Sequence, residues 1–231
     1  MNNITKFKIP SILEDILKDL QKIGATPILV GGCVRDYFLN IPVKDYDVEI
    51  FGIDCIQTIE KSLQKFGSVK LVGKSFGVLT LRVNKYDFDF ALPRTETKIG
   101  LSHQDFEVIT NASLSFKEAA IRRDFTINAI GYDFFKEEFI DPFDGIEDLR
   151  TKTIKHINDK TFIEDSLRVY RAVAFASRFN FKIEEKTKEL CKQIVLKNEL
   201  KYLPKERVYE EFKKLFLKSS KPSIGFELMR E

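Results

Sequence analysis

Apolar residues at Ile12, Leu13, Ile16, Leu17, Leu20 and Ile23 recur at the three- and four-residue spacing of an amphipathic helix, and Gly24 closes the run. The pattern then changes. Pro27–Val30 is a short unbroken apolar run that predicts a buried strand, and Gly31-Gly32 interrupts it before a short helical pattern over Val34–Leu39. Beyond the turn residue Pro42, Asp45–Phe51 alternates polar and apolar positions like a half-buried strand. Cys55–Phe66 predicts another helix. Three strands are predicted to follow, Val69–Val72, Gly77–Val83 and Tyr86–Leu92, with a hairpin at Asn84-Lys85. Leu92–Asp105 is polar, strand-poor and long for a connection, which marks a functional or mobile loop. Ser113–Ile121 reads as a helix with Ser113 at its N-cap, Glu138–Ile140 as a short strand and Asp141–Gly145 as a turn. From Ile146 onward only helical patterns appear, among them Phe162–Phe179, Glu185–Val195 and Lys205–Leu217. The expected fold class is α+β: a head of mixed sheet flanked by helices over residues 1–150, then an all-helical neck over residues 151–231.

Charge sharpens this division. Before residue 150 there are 18 Lys and Arg against 23 Asp and Glu, and from there on 20 against 12, so an acidic part precedes a basic one. The basic part suits an anionic partner such as nucleic acid, or is simply a solvated helical surface. No run of about 18 uncharged apolar residues exists, so no membrane-spanning helix is expected. Acids interrupt the apolar positions of the first residues, unlike a secretory leader, which makes a cytoplasmic protein with no membrane partner the expectation. Cys33, Cys55 and Cys191 lie far apart without CxxC spacing and are read as reduced, mostly buried thiols. His103 and His156 are too few and scattered for a metal site and are read as surface residues.

Asp45 and Asp47 are two apart in a strand and so share one face, with Glu49 further along it, while Tyr46, Val48 and Ile50 face the core. Like charges held side by side call for a cation, and paired hard oxygens suit Mg²⁺, whose remaining positions go to water and phosphate oxygens. An acid from a neighbouring strand would complete a two-metal clamp for phosphoryl or nucleotidyl transfer. Asp87 and Asp89 in Tyr86–Phe90 both qualify, and Asp89 is taken as the catalytic candidate. Gly31-Gly32, between a strand and a helix, lets backbone N–H groups approach a phosphate, with Arg35 one turn later. Arg122, Arg123 and Asp124 form either a surface ion network or, beside such a site, a triphosphate clamp.

These segments carry a resemblance. GGCVRD (residues 31–36) followed by DYDVEIFG (residues 45–52) resembles the first signature of class II CCA-adding tRNA nucleotidyltransferases and their poly(A) polymerase relatives, a branch of the polymerase-beta-like superfamily. PRTE (residues 93–96), RRDFTINAI (residues 122–130), DPFDGIEDL (residues 141–149) and EDSLRVYRAVAFASRF (residues 164–179) follow in the family's order. The resemblance implies Mg²⁺ held by Asp45 and Asp47, and nucleotide contacts from Gly32, Arg35 and Arg123. The expected substrates are CTP, ATP and a tRNA 3′ end; no feature points to an obligate protein partner. Asp165, Arg168 and Arg171 repeat every three residues and so are expected along one face of a helix over Glu164–Arg178. A carboxylate and a guanidinium there would match the amino donor and ring acceptor shared by cytosine and adenine, and the resemblance assigns that templating role to Asp165 and Arg168. Arg171 would contact phosphate or orient the pair. Leu92–Asp105, with Arg94 and Glu96, corresponds to an element that the family links to switching between CTP and ATP, so weak order is expected there.

Departures from the family are Asn40 where Gly is frequent, Ser166 where Pro is usual, and Ala174 where Arg is common. Family members also continue through helical regions that hold tRNA, so the chain is expected to be either a piece of a longer enzyme or a natural short form. Partial activities (CC-adding, A-adding or poly(A) addition) and a non-catalytic nucleotide- or RNA-binding module are the rival readings.

Overall fold

The computed structural model describes residues 7–72, 77–98 and 106–230. Two compact units form. The first comprises Met1–Thr95, Val108–Ala120 and Asn128–Pro142, and the second Glu96–Glu107, Ile121–Ile127 and Phe143–Glu231.

In the first unit, α1 (Ser11–Lys22) buries Leu13, Ile16, Leu17 and Leu20, the stripe its spacing predicts. β1 (Thr26–Val30) leads through Gly31 into α2 (Gly32–Phe38), and β2 (Asp45–Phe51) returns beside β1. After α3 (Ile56–Leu63) come β3 (Val69–Val72), β4 (Val78–Val83) and β5 (Tyr86–Ala91). With β8 (Gly131–Asp133) and β9 (Glu138–Ile140) these strands make a seven-stranded sheet in the order β3-β4-β5-β2-β1-β8-β9. Only β2 and β5 run parallel; the other pairs are antiparallel. Ser62 and Lys65 both bond Asp19, at 2.6 and 2.7 Å, and so tie the end of α3 to α1. Ile28, Val30, Phe51 and Ala119 form a buried cluster with Leu114, Phe116 and Ile140 against it. Gly131 is confined to glycine by that packing, since a Cβ there would lie 2.6 Å from the Phe116 ring.

Arg94–Lys98 (β6) and Phe106–Thr110 (β7) pair as a separate two-stranded sheet. The strand-poor expectation for Leu92–Asp105 is thereby corrected over Arg94–Lys98, where no apolar alternation announced a strand; the rest of that stretch, residues 99–105 with His103, lies outside the described residues. The helix expected from Ser113 is α4 (Phe116–Ala120), and its cap is Ser115: the Glu118 backbone N–H donates to Ser115 Oγ at 3.3 Å, while Glu118 accepts from Ser115 N–H at 2.8 Å.

The second unit holds α5 (Gly145–Arg150), α6 (Asp159–Glu164), α7 (Leu167–Phe179), α8 (Glu185–Leu196), α9 (Lys205–Lys218) and α10 (Pro222–Leu228). It is not all helical. β10 (Thr153–Ile154) and β11 (Lys182–Ile183) pair in parallel. His156 is also not a surface residue: it is buried, with Nδ1 2.7 Å from Thr187 Oγ1 and Nε2 2.8 Å from Asp159 Oδ1. Of the thiols, Cys33 is buried, Cys191 half-buried and Cys55 exposed, so the expectation of mostly buried cysteines fails at Cys55, which stands just before α3. Among the described residues no helix is long and apolar enough to cross a membrane.

Candidate functional site

In the first unit the polar group is built on β2. Alternation leaves Asp45 and Asp47 exposed and buries Tyr46 and Val48. Glu49, two residues further along the same alternation, is buried at 1 % exposure. The parallel register places Asp87 beside Asp45 and Asp89 beside Asp47, so four carboxylates stand as two adjacent pairs. Their neighbours on β4 separate the two candidates from β5. Arg82 grips Asp87 through both carboxylate oxygens and holds its carboxyl below the usual range. Asp89 accepts a single hydroxyl hydrogen bond, from Thr80 at 2.5 Å.

Beside this strand, Gly31 has φ 71° and ψ −131°, a conformation open to glycine and strained for other residues, and it turns β1 directly into α2. Cys33, in the first turn of α2, donates to Val30 O at 3.1 Å; burial pushes its thiol up to about 12, so it serves as packing. Arg35 is not presented as a phosphate contact. It is 5 % exposed, with Nε donating to Asp36 at 2.8 Å and Nη1 to Asn128 Oδ1 at 2.6 Å. Those bonds fasten α2 to the chain at Asn128.

In the second unit the helix expected over Glu164–Arg178 is broken. Asp165 ends α6 in an extended conformation (φ −116°, ψ 97°), Ser166 starts α7, and Asp165 accepts the Leu167 N–H at 3.1 Å. Asp165 therefore lies at the N-terminus of α7 and not along one helical face with Arg168 and Arg171. Arg168 is buried, donating to Thr161 O at 2.8 Å and Arg122 O at 2.5 Å, and burial pulls its pKa below the ordinary guanidinium value. It ties α6 and the Arg122–Asp124 segment to α7. Arg171 donates through Nε to buried Asp124 at 2.7 Å, with Glu211 3.7 Å from its Nη1. Arg122 pairs with Glu96 at 3.5 Å, while Arg123 is half-buried on the same segment.

Two members of this group were not singled out in the sequence. Arg207 lies 3.9 Å from Asp165, and Glu211 is buried between Arg171 and Lys214. Both belong to α9 at i, i+4 spacing, so one face of α9 meets the charged side chains of α7 and its start. In sequence they sit in KERVYEEFKK, where the run of charges hides which two face Asp165 and Arg171.

A mixed sheet carrying paired aspartates next to a glycine-capped helix, followed along the chain by a helical part, is the architecture of a polymerase-beta-like nucleotidyltransferase head with its neck. The chain belongs to the poly A polymerase head domain family, whose model matches residues 28–155; the model of a probable RNA and SrmB-binding site of polymerase A matches residues 180–231. The multifunctional CCA protein of Pseudoalteromonas atlantica is 39 % identical over 206 residues, covering 88 % of this chain and 48 % of that protein. A tRNA-processing enzyme solved with CTP superposes with a TM-score of 0.77 at 32 % identity, over 93 % of this chain and 55 % of that one. A tRNA nucleotidyltransferase complexed with a primer tRNA and an incoming ATP analog superposes at 0.76, also 32 % identical, over 93 % and 59 %. The chain thus spans about half the length of the curated relatives it matches.

Proposed function

We propose that this chain supplies the nucleotide-binding and transfer part of a tRNA nucleotidyltransferase that adds CMP and AMP, from CTP and ATP, to the tRNA 3′ end. The observation that carries the proposal is the pairing of Asp47 on β2 with Asp89 on β5, with Asp45 on the same outward face. Its support is the head-domain match and relatives solved with CTP or with tRNA and an ATP analog.

The donor set fits a hard divalent cation. Asp45 and Asp47 project from one face of β2 with Asp89 beside Asp47, and hard carboxylate oxygens are the donors Mg²⁺ takes, commonly one or two of them with water and phosphate completing its shell; among the described residues no group of three or more His, Cys, Asp or Glu is gathered. Asp45 and Asp47 would hold it, with Asp89 supporting the pair. Bound there, one or two Mg²⁺ ions would offset phosphate charge as a tRNA 3′-hydroxyl displaces pyrophosphate. The Gly31-Gly32 turn offers main-chain N–H groups to the phosphates, Arg35 keeps that turn in place, and the Arg123 guanidinium grips the triphosphate. Asp165 accepts the exocyclic amino group of cytosine or adenine, and Arg168 donates to the ring nitrogen through N–H groups not used on the main chain. Arg171, bonded to Asp124 and near Glu211, orients this group.

Residues 1–231 with Mg²⁺, a tRNA ending before its CCA or after CC, and each labelled NTP in turn test the reading. CTP and ATP are expected to incorporate and UTP and GTP to fail. Asp45→Ala should abolish incorporation while leaving the thermal unfolding curve intact. Asp165→Ala should narrow the preference for CTP over UTP by about 10- to 100-fold, the worth of one bidentate base contact. Equal use of all four nucleotides by the unmodified chain would sink the base-selection roles. NTP binding without any transfer would favour the second reading, a nucleotide-binding head without turnover.

A further inference from the structure

α9 brings two charged side chains one turn apart, Arg207 and Glu211, to Asp165 and Arg171. Glu211 is 5 % exposed, its Oε1 3.7 Å from Arg171 Nη1 and 2.7 Å from Lys214 Nζ. Asp124, also buried, accepts from Arg171 Nε at 2.7 Å, so carboxylates from two segments hold one guanidinium. Burial works against the Arg171 charge, but Asp124 and Glu211 together keep its pKa above the ordinary guanidinium value. Asp165 attracts the same cation. Arg207 Nη2 lies 3.9 Å from Asp165 Oδ2, a separation that gives ionic attraction without a hydrogen bond between them. Stability is a weak reason for burying Glu211, because an apolar residue of similar volume often serves a helix interface as well as an ion pair does. Removing one partner of such a group is different, since the charge left behind turns to the next available opposite charge.

We propose that α9 is a specificity element for nucleotide transfer: Glu211 restrains Arg171 so that its Nη1 arm does not turn to Asp165, and Arg207 fixes the position from which Asp165 meets the amino group of cytosine or adenine. Both act through another side chain and are positioning residues. The inference rests on the base-selecting role proposed for Asp165 and Arg168, and adds to it the side chains that set its geometry. It also gives α9 a part in choosing the nucleotide, although Glu211 stands 46 residues beyond Asp165 in the chain.

The test compares CTP with UTP on the 231-residue chain, with Mg²⁺ and a tRNA ending before its CCA, as a ratio of kcat/KM, or of Kd where nucleotide binds without transfer. Glu211→Gln keeps the side-chain shape and removes the charge, and is expected to lower the preference for CTP about 10-fold, the lower end of what a bidentate base contact is worth. Arg207→Gln, at a side chain 40 % exposed, should lower the same ratio with its unfolding curve unchanged, and covers the case in which Glu211→Gln unfolds. In an Arg171→Gln background Glu211→Gln should change the ratio no further, because residues that act through one another are not additive. A merely structural role would lower the values for CTP and UTP together and leave the ratio alone. An unchanged ratio in the folded variants, or additive losses in the double variant, overturns the proposal and leaves the base-selection reading standing. Equal use of CTP and UTP by the unmodified chain sinks that reading and this proposal with it. The restraint also has a readout that needs no nucleotide: the NMR resonances of the Arg171 guanidinium should move in Glu211→Gln and there become sensitive to Asp165→Asn. Unmoved resonances overturn the proposal as well.

Discussion

Arg35 follows a glycine-capped turn, where a sequence suggests an anion contact, yet its guanidinium is spent on Asp36 and Asn128 at 5 % exposure. The distinction is measurable. Removing a buried charged donor leaves Asp36 and Asn128 without it, so Arg35→Ala is expected to lower the unfolding free energy by about 2–4 kcal/mol in urea denaturation. Arg35→Lys should recover only part, because one ammonium cannot reproduce the forked geometry. A contact made only to phosphate would instead raise the KM for nucleotide and leave the urea midpoint unmoved. Asn128, ninety-three residues away, gave no sign in the sequence that it would be Arg35's acceptor; Asp45 and Asp47, by contrast, were legible because strand alternation alone sends both side chains to one face.

The joint between α6 and α7 carries the main difference between expectation and fold. Helical periodicity over Phe162–Phe179 continues across it, since one extended residue at Asp165 does not upset a three- and four-residue spacing counted over a dozen positions. Ser166 itself has φ −62°, a value proline imposes, and Asp165 before it is extended, as a residue preceding proline prefers. Ser166→Pro is therefore expected to fit without strain and to raise stability by about 0.4–1 kcal/mol by restricting the unfolded chain, read as a higher thermal midpoint. A fall would show that the Ser166 N–H has a partner proline cannot replace. Asn40 follows the same logic: at φ 55° it occupies the left-handed region that Gly and Asn tolerate best, so the departure from the family's glycine preserves the backbone. Among the elements missed, the two-residue strands β10 and β11 have no room for a period and β6, ArgThrGluThrLys, has no apolar face to announce it; β7 and β8 were missed as well.

Across the whole molecule the charge division is the property read most directly from sequence, and under the proposed function it gives an expectation for RNA binding. The acidic part presents the carboxylates on β2 and β5, whereas α9 alone contributes Lys205, Lys213, Lys214 and Lys218, with Lys213 half-exposed beside Glu210. Lys214 is held more closely than Lys213: Glu211 accepts its ammonium at 2.7 Å, against 3.4 Å from Lys213 to Glu210, and Glu211 in turn faces Arg171. If about four phosphates are neutralised by this surface, counterion release makes tRNA affinity fall about 10²-fold between 50 and 200 mM salt. A Lys205→Glu/Lys213→Glu/Lys218→Glu variant should flatten that dependence and weaken tRNA binding, while CTP affinity at fixed salt stays the same, since the proposed nucleotide contacts lie elsewhere in sequence. Filter binding across a salt series measures both. An unchanged slope in the variant would place the RNA on another surface, and the excess of lysine on α9 would then be the ordinary solvated face of a helix.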